Sequence, residues 1–258
     1  MVVLGAGGVL AGLWMASGAN EVPLSTAARS FLRQAHAEPG FEAAGRPAEG
    51  VYAYRGSGTD SLSVPPKTEH DGPLIPGIVT YGQQGCWTLR LDDSDDHWQS
   101  TTYCPHGSEL LETARAGWYD WDFVVASIAD TSTYTCRPAE VALPASLSPS
   151  PSYGFSCEGS NHPLQLKPVE LAGAVQVLAE GSVRVGPSEV PAVRVLERAR
   201  LRGGQTGTEV EDTWYDRSNG LPLEGTWTTD VRSPSPLGGT AALTAAGSFH
   251  LDRLTPER

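Results

Sequence analysis

From residue 50 onward, polar and apolar positions alternate in short runs. This is the spacing of strands with one face buried and the other in water. The clearest run is the second arm of a hairpin over residues 208–231. Leu221, Leu223, Trp227 and Val231 share one face of it, and Glu224, Thr226, Thr228 and Asp230 share the other. Asn219-Gly220 supplies the turn, because both residues tolerate positive φ. Val175, Val177, Ala179, Val183 and Val185 keep one parity. So do Val193, Val195, Ala199 and Leu201, with Arg194, Arg198, Arg200 and Arg202 opposite them. Tyr119, Trp121, Phe123 and Val125 oppose Asp120 and Asp122, and Trp87, Leu89 and Leu91 alternate with Thr88 and Arg90. Shorter strands are expected at 50–56 and 59–64, paired across a glycine turn, and at 78–81, 97–103, 109–113, 131–142, 155–158 and 247–254. Roughly ten or eleven strands in consecutive hairpins predict one antiparallel, meandering sheet, which at that length must curl, split or close.

One helix stands out. Over 25–37, Ser25 can cap the start and Ala27, Ala28, Phe31, Leu32 and Ala35 form an apolar stripe. Four prolines make 65–77 a loop, and the Pro/Ser-rich 144–152 reads as a mobile loop or a boundary between two half-domains. Residues 2–16 are apolar and uncharged, and Ser17-Gly18-Ala19 fits a small-residue cleavage site. That run is shorter than the roughly 20 residues of a spanning helix, so 1–19 is expected to be a signal peptide or membrane anchor. It would carry the chain out of the cytoplasm, to be held at the membrane or released. The remainder divides into a linker and helix over 20–49 and an antiparallel β domain over 50–258.

Composition adds three constraints. Twenty prolines and 29 glycines suit many turns between short strands. A net charge of −12 argues against a nucleic-acid partner, because phosphate binding needs clustered cations. The four cysteines, Cys86, Cys104, Cys136 and Cys157, suit two disulfides in an oxidising compartment. Three pairings are open. Cys86–Cys104 with Cys136–Cys157 is favoured, since each closes a short loop between neighbouring strands. A metal site of Cys86, Cys104, His97 and His106 competes, without Cys-x-x-Cys spacing to support it.

Candidate chemistry is sparse. The run Asp92-Asp93-Ser94-Asp95-Asp96 has the oxygen ligands of a Ca²⁺ loop but lacks the glycine and distal glutamate of an EF-hand, so it reads as a solvated hairpin tip. The arginine stripe of 194–202 is expected to pair with Glu209 and Glu211 on the next strand. His70, between Glu69 and Asp71, reads as a surface turn. There is no Gly-x-Ser-x-Gly, no His-Glu-x-x-His and no phosphate-cradling loop. No catalytic residue, resident metal or cofactor is therefore expected, and the chain reads as a non-enzyme.

The stretch from Val193 to Val231 resembles the LolA/LppX-type carriers of the bacterial envelope. The matching pieces are Arg194–Arg202, Trp214-Tyr215-Asp216 and Gly220-Leu221-Pro222-Leu223, with Gly50-Val51-Tyr52-Ala53-Tyr54 after the helix. The resemblance implies a half-barrel curled around a helix, with an apolar cavity for acyl chains. The cysteine pairs and the Pro-rich middle depart from that pattern. On this reading Leu221, Leu223, Trp227, Val231, Val193 and Val195 form the ligand wall, and the partner is a lipid or a lipidated protein. The alternative is a surface binding or adhesion module without a cavity. A continuous apolar pocket of several hundred cubic ångströms would favour the carrier, and a filled interior the module.

Overall fold

The computed structural model describes residues 20–34, 45–123, 126–145, 152–162, 167–235 and 238–257. The expected signal or anchor at 1–19, the helix positions 35–37, Val125 and most of 144–152 lie outside the described residues. The described chain holds one α-helix, α1 (Leu24–Gln34), and thirteen strands. They are β1 (Gly50–Ser63), β2 (Pro66–Asp71), β3 (Leu74–Tyr81), β4 (Trp87–Asp92), β5 (His97–His106), β6 (Glu109–Phe123) and β7 (Ala126–Leu143), followed by β8 (Ser152–His162), β9 (Val169–Val185), β10 (Ser188–Gly203), β11 (Thr206–Asp216), β12 (Pro222–Pro234) and β13 (Thr240–Leu251).

From β3 to β13 each strand pairs antiparallel with the next. One edge of β1 takes β3 along its first half and β2 along its second, so β2 and β3 act as a single kinked strand. The other edge of β1 pairs with β13, from Tyr54 opposite Leu251 to Leu62 opposite Leu243. The result is a closed twelve-stranded barrel rather than the expected half-barrel. Closure gives the backbone groups of both edge strands partners that a curled open sheet leaves in water.

Three local expectations fail for identifiable reasons. Residues 50–63 form one strand, not two strands across a glycine turn. Gly56 and Gly58 sit within it because other groups approach too closely for a side chain: a Cβ at 56 would strike the Ser248 carbonyl, and one at 58 the Asp71 carboxylate. The proline-rich 65–77 is mostly strand, because Pro66 occupies the first position of β2 and Pro73 falls in the break before β3, where no ladder donor is needed. The Asn219-Gly220 turn is also longer than a two-residue connection. Only Gly220 takes positive φ, at 78°, and Asn219 Oδ1 instead accepts from the Leu221 amide at 2.8 Å.

The helix lies outside the barrel. Residues of opposite parity on β1 part company: Tyr52 and Tyr54 point into the lumen, while Val51, with Ile78 of β3, packs against Ala27 and Phe31 of α1. The implied helix within the sheet is therefore corrected, and the lumen is filled by the strands' own side chains. At the end nearest Gly220 that filling is apolar and dense. Tyr52, Tyr54, Trp87, Tyr103, Val193, Val195, Leu221, Leu223 and Leu251 are all buried there. Trp87 and Tyr103 pack with ring centres 4.5 Å apart and planes tilted by 32°, and Tyr54 Oη donates to the Pro222 carbonyl at 2.8 Å. The outer wall is charged. Arg198, Arg200 and Arg202 are exposed on it, and Arg194 grips Asp212 with two hydrogen bonds of 2.8 and 2.7 Å. A lipid-facing barrel needs an apolar band on that wall.

The two disulfides join Cys86 to Cys104 and Cys136 to Cys157, and no described cysteine is free. Cys136 and Cys157 are direct cross-strand partners on β7 and β8, which flank 144–152 and belong to the same barrel.

Candidate functional site: an ionic lumen

Away from Gly220 the lumen changes character. Glu197 occupies the inward parity of β10, between Val195 and Ala199, and faces Glu211 of β11. Glu209 shares that inward parity opposite Ala199. Glu209 and Glu211 therefore do not pair with the arginine stripe, which lies on the other side of the wall. Their partner is Arg115 of β6. Its guanidinium contacts Glu112, lies 2.7 Å from Glu140 and 2.5 Å from Glu197, and sits 3.7 Å from Glu211 and 3.9 Å from Glu209. Register shifts on both edges of β6, at Glu112/Ala114 and Thr102/Tyr103, bring Glu112 and Arg115 to the same side of the wall.

Five glutamates thus share one guanidinium. Burial pushes Glu112 up to about 8 against the pull of Arg115, and Glu209 and Glu211 to about 7 for the same reason. Glu140 rises well above the usual carboxylate range through burial and the Glu197 charge. Buried carboxylates lacking a cation take up protons because ionisation without water is too costly.

A second tier lies further along. The β4–β5 hairpin is short, and β2 fills the wall beyond its tip. Gly72 N donates to Asp93 O at 3.2 Å and Lys67 Nζ to Asp122 O at 2.5 Å. The expected solvated tip at 92–96 is corrected: Asp92, Asp93 and Ser94 are buried beneath this cover, and only Asp95 is fully exposed. Likewise Glu69 and Asp71 point inward while His70 faces solvent, because β2 is a strand and not a surface turn. His97 Nδ1 stands 3.0 Å from Asp60 Oδ2, 3.6 Å from Asp71 Oδ1 and 3.8 Å from Asp93 Oδ2. Tyr119 stacks on the His97 ring with centres 3.9 Å apart. Burial lowers the imidazole, but the facing Asp60 and Asp71 carboxylates outweigh it and hold His97 well above its ordinary value.

A cavity of about 160 Å³ lies between the tiers, lined by Arg115, Glu209, Glu211, His97, Asp130 and Trp227 among others. Asp130 is raised to about 6 by burial, although Asn161 donates to it at 2.5 Å. A smaller apolar cavity of about 60 Å³, with Leu62, Trp121 and Ile128 in its wall, shares Tyr119, Asp130 and Val231 with the first.

The six residues expected to form a ligand wall separate. Leu221, Leu223 and Val195 are packed in the apolar core, and Val193 is buried there beside an outer recess. Trp227 and Val231 line the ionic cavity. Sequence reasoning missed Arg115, Glu112, Glu140 and Glu197 and gave Glu209 and Glu211 the wrong partners, although Glu197 on an apolar parity was a readable signal. It also missed Asp60, set Asp71 in a surface turn and grouped His97 with cysteines, because the proximity of these three depends on strand register. Cys86 and Cys104 are bonded to each other, and His97 lies among the carboxylates, so the Cys/His metal alternative does not form.

No family model and no curated protein matches the chain. Among solved structures, the chain is similar to the hypothetical lipoprotein YmcC from Escherichia coli (K12), at 10% identity and a TM-score of 0.34, over 91% of this chain and 100% of that one. A likeness of that size carries no argument about function. The resemblance to LolA/LppX-type carriers accordingly rests on the residues quoted for it.

Proposed function

We propose that the protein is an exported, non-enzymatic binding protein of the cell envelope whose barrel takes a small organic cation with a short apolar tail. The observation that carries this reading is the charge balance of the lumen, where Arg115 faces five glutamates beside a cavity of about 160 Å³. An ammonium group there offsets carboxylates that burial otherwise drives to hold protons. Its tail runs past Trp227 and Val231 toward the apolar recess of Trp121 and Ile128. The space suits roughly six heavy atoms, as a dry cavity of about 150 Å³ accepts benzene. Export is supported by the two disulfides, which persist in oxidising compartments. Binding without turnover follows the absence of a nucleophile motif from the sequence.

One observation favours the uncharged guest expected from the resemblance, a lipid or a lipidated protein: the apolar recess of about 60 Å³ would accept a methyl terminus. Calorimetry with hexylamine, hexanol and hexanoate separates the readings. The proposal expects hexylamine to bind, and to bind about tenfold more weakly once Glu211→Gln removes a charged partner. Equal or tighter binding of hexanol or hexanoate replaces it with an apolar guest. No binding by any of the three leaves the surface binding or adhesion module.

A further inference from the structure

We infer that Asp60, Asp71 and His97, with Asp93 beside them, form a site for one first-row divalent cation of the borderline class, for which Zn²⁺ is the probe. The inference goes beyond the amine reading and stands independently of it.

Four groups converge from separate parts of the chain. Asp60 comes from β1, Asp71 from the end of β2, Asp93 from the β4–β5 hairpin and His97 from the start of β5. One ligand atom each from Asp60, Asp71 and His97 lies within 4.8 Å of the others, and all three side chains are buried. Ligand atoms about 2.0–2.1 Å from a tetrahedral ion stand ~3.3–3.4 Å apart. The separations of His97 Nδ1 from the three carboxylates, 3.0, 3.6 and 3.8 Å, bracket that edge length.

The polar atoms are also short of partners. Both carboxylate oxygens of Asp60, both of Asp71, Oδ1 of Asp93 and Nδ1 of His97 are enclosed without a well-directed hydrogen bond. Enclosing such groups without full hydrogen-bonding partners is unfavourable, and more so for charged groups than for neutral ones. A ligating imidazole must be neutral, so three carboxylates set three negative charges around the site, and a divalent ion offsets two of them. One imidazole nitrogen among carboxylate oxygens suits Zn²⁺ or Mn²⁺ better than Ca²⁺, which takes six to eight oxygens.

The surroundings hold the ligands in place. Gln99 Nε2 donates to Asp93 Oδ2 at 3.2 Å, the Tyr119 ring covers His97, and the bare Gly58 leaves room for the Asp71 carboxylate. Such outer contacts fix ligand orientation and commonly change metal affinity about 10–100-fold.

The test is calorimetric titration of the chelator-treated full chain with Zn²⁺, Mn²⁺ and Ca²⁺. The inference expects one Zn²⁺ per chain, with affinity falling at least about 100-fold in Asp71→Asn and His97→Gln and unchanged in the surface variant Glu158→Gln. Absence of Zn²⁺ binding by the folded wild-type chain overturns it, as does binding that survives both substitutions. Tighter binding of Ca²⁺ overturns the class assigned. Should the variants fail to fold, anomalous diffraction from wild-type crystals grown with Zn²⁺ decides the question. A peak between His97 and Asp60 sustains the site, and peaks elsewhere alone refute it.

Discussion

The two halves of the barrel interior are built by the same strands on the same parity, yet they solve opposite problems. Near Gly220, β10 and β12 turn Val193, Val195, Leu221 and Leu223 inward, and aromatic rings fill the remaining space. A few residues further along β10, Glu197 takes the inward position, joined by Glu209 and Glu211 from β11 and Arg115 from β6. The first half stabilises the protein by removing apolar surface from water, at roughly 25 cal/mol per Å². The second half gains little from burial and retains groups whose desolvation is unfavourable. Its composition is a cost to stability, which is the physical reason to look for function there and not at the dense end.

The sharpest way to break the comparison is to remove its pivot. Arg115→Met leaves five buried glutamates without their cation, and a loss of about 3–5 kcal/mol is expected at pH 8. Urea unfolding at pH 5 should show a smaller loss, because the glutamates then hold protons. An equal loss at both pH values would mean that they do not exchange protons on folding. Next comes Leu223→Ala in the apolar half, with an expected cost of about 2–5 kcal/mol that is the same at both pH values. A cost below about 1 kcal/mol there would show that the turn-end core is loosely packed. A third test needs no substitution and reads the pH profile of the native chain. Glu112, Glu209 and Glu211 have folded values of about 8, 7 and 7, above the ordinary 4.5 of the unfolded chain. Groups raised in this way stabilise the fold fully below the unfolded value and lose that contribution as pH rises through the folded one. Melting temperature is expected to fall from pH 5 to pH 8, with a shallower fall in Glu209→Gln and Glu211→Gln. A rise over that range would contradict the assignment.

The strands were legible where one face is apolar throughout. The alternation from Leu221 to Val231 and from Val193 to Leu201 gave the right elements and the right inward faces. It could not say what those faces enclose. A charged residue on an apolar parity, such as Glu197, reads locally as an interruption, and only closure turns it into a buried group. Asp60 and His97 are 37 positions apart in the chain and meet because β2 covers the short β4–β5 hairpin. The glycines of β1 misled for a related reason: close approach by β13 and β2 and a reverse turn call for the same residue. The helix was found, but which side of the sheet it covers depends on Val51 and Ile78 facing outward, and that parity has meaning only once the inside is known.

The pairing of β1 with β13 also sets an order of events for the newly made chain. The seam lies between residues 54–62 and 243–251, so no shorter stretch of the described chain encloses an interior. While the polypeptide is still being synthesised, it holds hairpins but no inside. The last strand to emerge completes the ring. Joining partners so far apart in sequence is slow compared with forming local hairpins.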